Sequence, residues 1–198
     1  MLRQGGTAGS DRGVTAAGSA GRTLLDTEQL DRIVRRFGRE ITRDHPDGVV
    51  LVGILKGSVC LVADLARSVE CPCAVDFLGL SAYGAGGARV RLSKDLDADV
   101  AGRAVVVAVD IIDSGFTASY VRRLLNERGA RSADICALLD RRTRRILPVE
   151  ARYVGLAIGD EYVVGYGLDF EERYRNLPIV VATDQALLRA GAFRPFQA

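Results

Sequence analysis

The stretch Ala104–Thr117, with the sequence AVVVAVDIIDSGFT, decides the fold. It begins as an unbroken apolar run, which is typical of a strand buried on both faces of a parallel sheet. Two carboxylates, Asp110 and Asp113, come where this strand should end, and Ser114 and Gly115 then permit the tight backbone of a loop. The residues after this loop have the apolar spacing of an amphipathic helix.

A strand, a small-residue loop and a helix N-terminus together form an anion-binding site. Free backbone N–H groups point outward there, and the helix dipole favours negative charge. Acids beside such a site can hold Mg²⁺, accept hydrogen bonds from sugar hydroxyls or exchange a proton with a substrate. The alternative is an ordinary turn in which Asp113 caps the helix, and the residues alone leave both interpretations open.

The segment Val105–Thr117 resembles the phosphoribosyl-pyrophosphate (PRPP) loop of type I phosphoribosyltransferases, and within them the hypoxanthine-guanine branch. That pattern is an apolar strand, Glu-Asp, two aliphatic residues and Asp-Ser/Thr-Gly-x-Thr, and Val109 departs from it by standing in place of the Glu. The resemblance implies that Asp110 binds ribose hydroxyls and metal, and that Asp113 takes the proton of the base or hydrogen-bonds its imidazole side. It also implies that the 5′-phosphate is held by the N–H groups of Ser114, Gly115, Phe116 and Thr117.

A buried strand is predicted over Val49–Leu55, and Lys56 and Gly57 follow it directly. This is where ligands of open α/β sheets bind, although a surface lysine before a helix would look the same. The resemblance implies that Lys56 and Gly57 contact the pyrophosphate of PRPP. It also predicts a cis peptide bond before Lys56.

The segment Ser81–Ala88 is too rich in glycine to predict a packed element. A flexible hairpin and a lid that excludes water both fit it. The resemblance implies a lid that acts through Ser81 and Tyr83. Relatives often have Ser where this chain has Ala82, so the chain departs from the family pattern at this position.

Two later segments resemble the part of the family that binds the base. Arg141 stands where a Lys donates to the 6-oxo group of the purine, and the other arginines of residues 142–145 suggest a solvated basic loop. The segment Tyr153–Leu177 resembles the hood over the base. There the resemblance implies that Tyr153 stacks on the base, that the Val154 backbone reads its edge, that Asp160 binds Mg²⁺ on the pyrophosphate and that Arg175 contacts the pyrophosphate. Without it, Tyr153 would be a core residue and Asp160 a turn residue.

Composition excludes several other classes of protein. The 198 residues are 48% hydrophobic and 26% charged with a net charge of +2, which does not favour a nucleic-acid partner. No apolar run is long enough for a membrane span. The four cysteines form no disulfide framework, so a cytoplasmic location is expected, and the single histidine, His45, is expected at the surface. Residues 1–22 and 187–198 are predicted to be tails around a domain of residues 23–186.

The sequence thus predicts an α/β protein of the type I phosphoribosyltransferase fold. We expect a mainly parallel, twisted sheet of about five strands flanked by helices, with a small hood built from the N-terminal part and residues 150–180 or so. The predicted reaction transfers the 5-phosphoribosyl group from PRPP to a 6-oxopurine with Mg²⁺ as cofactor, in a homodimer or homotetramer. Two alternatives stay open: a phosphoribosyltransferase for a purine-analogue base in specialised metabolism, and a non-catalytic nucleotide-binding paralogue.

Overall fold

The computed structural model describes residues 21–83, 89–193 and 195, and for residues 82, 83, 89 and 90 it describes the backbone alone. Strands and helices alternate along the chain, as expected for an α/β protein. In chain order they are β1 (Arg22–Leu25), α1 (Thr27–Asp44), β2 (Val49–Leu55), α2 (Val59–Ser68), β3 (Cys73–Tyr83), β4 (Arg89–Lys94), β5 (Ala104–Ile112), α3 (Phe116–Glu127), β6 (Ser132–Arg141), β7 (Tyr153–Ile158), β8 (Tyr162–Val164), β9 (Val180–Thr183) and α4 (Gln185–Arg189).

The main sheet has six strands in the order β4-β3-β2-β5-β6-β7. All neighbours from β3 to β7 run parallel, and β4 pairs antiparallel with β3 at one edge. The predicted mainly parallel sheet is therefore confirmed. In the described residues no helix is long and apolar enough to cross a membrane.

Alternate residues of the central strands face two separate cores, one on each side of the sheet. Leu51 and Val106 belong to the core that α1 and α2 cover, whereas Val50 and Val105 belong to the core that α3 covers. This is why the apolar runs of β2 and β5 have no polar positions: in a sheet covered on both faces, every side chain is buried.

Helix α1 begins as the sequence predicts. The Asp26 side chain accepts a hydrogen bond from the Gln29 N–H at 2.7 Å, and the Gln29 side chain accepts one from the Asp26 N–H at 2.9 Å, which is a complete capping box. The helix ends at Asp44, and His45 follows it with only 6% of its surface exposed. The expectation that His45 lies at the surface is wrong, because its ring reaches Asp134 of β6 at 3.4 Å.

A second sheet, in the order β1-β9-β8, forms the hood and joins the start of the domain to its late strands. Helix α4 follows β9, and its Leu188 is fully buried among residues of this sheet. The C-terminal tail predicted from residue 187 therefore begins inside a helix. Residues 1–20 of the predicted N-terminal tail lie outside the described residues.

The parallel strands place their carboxyl ends at one edge of the main sheet. The loops after β2, β5 and β6 leave this edge side by side because β5 pairs with both of the other strands. In open α/β sheets this edge is where ligands bind. It is also where the chain carries most of its predicted site residues.

Candidate active site

Asp110 lies at the end of β5, against the Lys56–Gly57 loop that follows β2. A Cβ atom at Gly57 would lie 1.7 Å from Asp110 Oδ2, so only glycine permits this approach. Burial raises the pKa of Asp110, while the N–H of Ile111, which donates to Oδ1 at 2.8 Å, and the charge of Arg175 lower it. The Leu55–Lys56 peptide bond is cis, as predicted.

Asp113 lies just beyond β5 and has one carboxylate oxygen free. Its Oδ2 accepts a hydrogen bond from Arg141 Nη1 at 3.0 Å. Its Oδ1 is buried and has no hydrogen-bond partner among the described residues. Because a buried acceptor without a donor is costly, this oxygen is suited to accept a hydrogen bond or a proton from a ligand.

Asp113 does not cap helix α3. The cap position is Gly115, with φ of +89° and no side-chain cap. The alternative in which Asp113 serves only as an N-cap is therefore wrong. The first N–H groups of α3 have no carbonyl within the helix to bond, and they are free to face an anion.

A cleft of about 300 Å³ opens above the carboxyl ends of β2, β3 and β5. Its floor carries the two acids, and its wall carries Leu80 and the buried Val109. The Phe116 side chain, at the start of α3, is 45% exposed. The predicted phosphate-loop residues that line the cleft are Ser114, Gly115 and Thr117.

A second loop, from the hood, brings positive charge to the same edge. Arg175 Nη2 lies 2.9 Å from Asp169 Oδ1, and its Nη1 donates to the Gly167 carbonyl at 2.7 Å. A Cβ atom at Gly167 would lie 1.9 Å from the Gly57 carbonyl oxygen, so the hood loop rests on the Lys56–Gly57 loop. Lys56 and Arg175, the two cations predicted for the pyrophosphate, are therefore brought together.

Arg141 joins the hood to Asp113. Only 5% of its surface is exposed. Its Nε donates to the Gly159 carbonyl at 2.9 Å and its Nη2 to the Glu161 carbonyl, while Nη1 holds Asp113. The guanidinium has donors left over, so the predicted contact with a 6-oxo group stays a prediction, but its three protein acceptors already fix its position.

Tyr153 and Val154 lie at the wrong end of the sheet to bind a base. Tyr153 begins β7, is 2% exposed, and donates from its hydroxyl to Asp44 Oδ2 at 3.1 Å. The Val154 carbonyl accepts a hydrogen bond from Arg36 Nη2 of α1 at 2.6 Å. The expectation that these residues stack on and read the base is therefore wrong, and Tyr153 is a core residue.

Asp160 is also displaced from its expected role. Its side chain is 65% exposed, accepts a hydrogen bond from Thr143 Oγ1 at 2.6 Å and pairs with Arg144 Nε at 3.2 Å. It lines a different pocket, together with Arg144. Asp169 is better placed to act with Asp110, because it pairs with Arg175 on the hood loop that rests on the Lys56–Gly57 loop, against which Asp110 lies. The expectation that Asp160 binds the metal is wrong by this placement.

Tyr162 is the aromatic residue that the sequence interpretation missed. It begins β8, is half-buried, and donates from its hydroxyl to the Asp169 carbonyl at 3.0 Å. Arg141 Nη2 donates to the carbonyl of the preceding residue, Glu161, so this guanidinium lies beside the start of β8. The chain contains Tyr-Val twice, at Tyr153 and at Tyr162, and only the second follows the carboxyl end of β7. That position is the signal that distinguishes them.

The predicted lid starts from the other side of the cleft. Ser81 lines the cleft, and Ser81 to Tyr83 extend β3, paired with residues 89–91 in β4. These residues are therefore part of an antiparallel hairpin. Residues 84–88, which connect the two strands in the sequence, lie outside the described residues, so the lid stays a prediction.

The described part of the chain contains no cluster of three or more His, Cys, Asp or Glu side chains that could hold a metal ion. Mg²⁺ is commonly bound by one or two carboxylates together with substrate phosphates, and not by a cage made of protein alone. Asp110 and Asp169, close to Lys56 and Arg175, supply such carboxylates. The residues present therefore fit Mg²⁺ that arrives with a pyrophosphate.

Comparison with known proteins gives one consistent result. The family model of the phosphoribosyl transferase domain matches residues 21–171. The hypoxanthine phosphoribosyltransferase of Salmonella typhimurium is 46% identical over 163 residues, covering 79% of this chain and 92% of that protein. A hypoxanthine-guanine phosphoribosyltransferase from Bacillus anthracis has a TM-score of 0.80 at 37% identity, over 83% of this chain and 99% of that one. A hypoxanthine phosphoribosyltransferase from Staphylococcus aureus has a TM-score of 0.82 at 36% identity, over 85% and 94% of the two chains.

Proposed function

The chain belongs to the phosphoribosyl transferase family, and on that premise we propose that it transfers the 5-phosphoribosyl group from PRPP to hypoxanthine or guanine. The products are the nucleoside 5′-monophosphate and pyrophosphate, and the process is purine salvage. The observation that carries the proposal is the buried, unpartnered Oδ1 of Asp113 beside a phosphate-binding helix N-terminus. Curated relatives at 40–46% identity are named for this activity, which favours salvage over the two alternatives.

PRPP is proposed to lie along the cleft, with its phosphate groups at opposite ends. The N–H groups of Ser114 to Thr117 hold the 5′-phosphate at the start of α3. Lys56 and Arg175 face the pyrophosphate from the two loops that meet at Gly57. Asp110, half-buried between these ends, accepts hydrogen bonds from the ribose hydroxyls.

The reaction exchanges one bond at C1′ of the ribose for another. The bond from C1′ to the pyrophosphate oxygen breaks, and a bond from C1′ to a ring nitrogen of the base forms. Lys56 and Arg175 stabilise the negative charge that develops on the leaving group. Mg²⁺, held by Asp110 and Asp169 together with the pyrophosphate, would neutralise part of the same charge.

The base is proposed to stack on Tyr162, which lies next to Arg141. From that position it reaches Asp113, whose free Oδ1 accepts the proton that the purine loses. Arg141 keeps the other oxygen of Asp113 occupied and so orients the carboxylate. The lid from Ser81 and Tyr83 is expected to exclude water while the C1′ cation is exposed.

The experiment that tests this function measures pyrophosphate release with PRPP and Mg²⁺ across a panel of bases: hypoxanthine, guanine, xanthine, adenine and a deazapurine. Turnover with hypoxanthine or guanine, and formation of the matching monophosphate, is expected. Turnover with the deazapurine alone would instead place the chain in specialised metabolism. Nucleotide binding without any turnover would favour the non-catalytic paralogue. A parallel titration with EDTA tests the dependence on Mg²⁺.

We also propose that the protein works in the cytoplasm as a homodimer or homotetramer. Support for the location is the absence of a disulfide framework among its four cysteines, which are all free in the structure. Light scattering coupled to size-exclusion chromatography measures the assembly directly. A monomer at all concentrations would contradict the proposed oligomer.

A further inference from the structure

Arg145 is the most buried side chain of the basic loop after Arg141. Its side chain is 15% exposed, against 78% for Arg142 and 50% for Arg144. Its three nitrogens are all engaged: Nε donates to the Asp113 carbonyl at 3.0 Å, Nη1 to the Val149 carbonyl at 2.8 Å, and Nη2 to Asp140 Oδ1. These hydrogen bonds hold the guanidinium in one orientation, so it does not act as a solvated charge.

The backbone after Arg145 continues the same contact. The N–H groups of Ile146 and Leu147 both donate to the Ser114 carbonyl, at 2.9 and 3.0 Å. A Cβ atom at Gly115 would lie 2.5 Å from the Leu147 carbonyl oxygen and 3.0 Å from Arg145 Cδ. We call residues 145–149 the brace, because the backbone of Asp113 to Gly115 rests directly on them.

Asp140 holds the brace to the end of β6. It is 4% exposed, and its two oxygens are taken by Arg142 Nε at 2.9 Å and by Arg145. Two arginines therefore share one buried carboxylate, but only Arg145 reaches onward to the phosphate loop. Because a buried carboxylate depends on its partners, Asp140 keeps the Arg145 fork in one orientation.

We propose that Arg145 is a positioning residue that fixes the phosphate loop, so that the amides of α3 point at the 5′-phosphate and Asp113 points at the base. This inference rests on the proposed function of the same cleft. It gives a role to a residue that has no expected contact with a substrate. Arg145 acts through the Asp113 carbonyl on one side and through the brace under Ser114 on the other.

The test compares Arg145→Met and Arg145→Lys with Arg142→Met as the matched control. Arg142 binds the same carboxylate, Asp140, but its side chain makes no hydrogen bond to the phosphate loop among the described residues. Calorimetry on the full-length chain measures the affinity for GMP, which needs the phosphate loop, and for pyrophosphate, which needs Lys56 and Arg175. A thermal melt of each variant shows that it is folded.

Arg145→Met is expected to weaken GMP about tenfold and to raise the KM for PRPP, with the affinity for pyrophosphate unchanged. Arg145→Lys should fall between Arg145→Met and the wild type, because an ammonium group restores one contact of the fork. Arg142→Met should keep the wild-type affinity for both ligands.

Equal GMP affinity in the wild type and a folded Arg145→Met variant would overturn the inference, and so would an equal loss of pyrophosphate affinity. If Arg145→Met does not fold, the comparison passes to Arg145→Lys, which must bind GMP more weakly than the wild type by at least about threefold. If the wild-type chain binds no GMP, the proposed function itself is refuted. If the wild type binds GMP but the Arg145 variants bind it equally well, only the inference about Arg145 fails.

Discussion

Glu172 contacts Lys56 and Arg175, the two cations proposed to bind the pyrophosphate. Its Oε2 lies 3.0 Å from Lys56 Nζ, and both of its oxygens lie 3.5 Å from Arg175 Nη2. The hydrogen bond from Lys56 lowers the pKa of Glu172, so the carboxylate is charged at neutral pH. An anion is thus already present where the pyrophosphate is proposed to bind.

Replacing Glu172 by Gln should therefore lower the KM for PRPP, because the leaving-group phosphates no longer compete with a carboxylate. The side chains of Lys56 and Glu172 are both well exposed, so the expected change is small, about two- to fivefold. Steady-state kinetics measures it. Glu171→Gln is the matched control, since Glu171 pairs with Arg173. A KM that rises in Glu172→Gln would contradict the idea of competition.

Val109 is the residue at which this chain departs from the family pattern. It is 4% exposed, and it lines the cleft. A glutamate there would supply a charged acceptor for ribose hydroxyls, which is worth about 1.5–3 kcal/mol. Val109→Glu is expected to raise kcat/KM for PRPP about tenfold or more while lowering the Tm, because its stem enters a packed core. Val109→Gln introduces a side chain as long as Glu but without its charge, so its kcat/KM for PRPP should rise less. An equal rise in both variants would mean that the charge is not the missing feature.

The positions of site residues were predictable from the sequence only where the local motif also sets the position. Asp110, Asp113 and Lys56 immediately follow apolar strands, so their place at the carboxyl edge follows from the strand itself. Tyr153 and Tyr162 both precede a Val, and composition does not separate them. Which one reaches the edge depends on where β7 begins and ends, and that is a property of the sheet.

Two loops from different elements meet where the pyrophosphate is proposed to bind. Gly167 has a φ of +99°, and a Cβ atom there would lie 1.9 Å from the Gly57 carbonyl oxygen. Gly102 has a φ of +70° with nothing within 4 Å of the same atom. Alanine at Gly102 therefore measures the free-energy cost of a positive φ alone. Alanine at Gly167 measures that cost together with the cost of moving the two loops apart.

Gly102→Ala should cost about 1 kcal/mol in the free energy of unfolding, the ordinary cost of alanine at positive φ. Gly167→Ala should cost more, and it should also raise the KM for PRPP, because the hood loop has to move away from Gly57. Urea denaturation and steady-state kinetics measure the two effects. Similar stability and unchanged KM in both variants would show that the contact between the loops does not shape the site.

Element boundaries follow well from the sequence where one pattern acts alone. The strand over Val49–Leu55 and the capping box at Asp26 are observed as predicted. The role of Arg145 could not be predicted, because several residues of the same type lie side by side in the sequence there. In the sequence it is one of four arginines in residues 141–145, and only the approach of this loop to Ser114 shows which of them is buried.

A polar network lies on the side of the main sheet where the parallel strands begin, opposite the cleft. His45 is enclosed there by Asp44, Asp134, Arg152 and Tyr153. Burial lowers the pKa of His45 below its ordinary value of 6.5, and the charge of Asp134 only partly offsets this. Below that pH the unfolded chain binds a proton that the folded chain resists.

The folded state should therefore lose stability as the pH falls from about 6.5 toward the lowered pKa of His45. His45→Gln should flatten this part of the pH–stability curve, which urea denaturation at successive pH values measures. Asp110, whose pKa is raised, contributes with the opposite sign in both proteins, so the difference between the two curves isolates the histidine. If the wild type and His45→Gln lose stability in parallel as the pH falls, His45 is not the group responsible.

We propose that Asp113, at the carboxyl edge of the sheet, receives the proton of the base through Oδ1, which has no partner among the described residues. The most direct test compares the wild type with Asp113→Asn, measuring kcat with hypoxanthine and the affinity for PRPP by calorimetry. We expect kcat to fall about 10²- to 10⁴-fold while PRPP binds as before, because the amide of Asn keeps the shape of the side chain but cannot accept the proton. A kcat that stays within about threefold of the wild type would contradict it and remove Asp113 from the reaction.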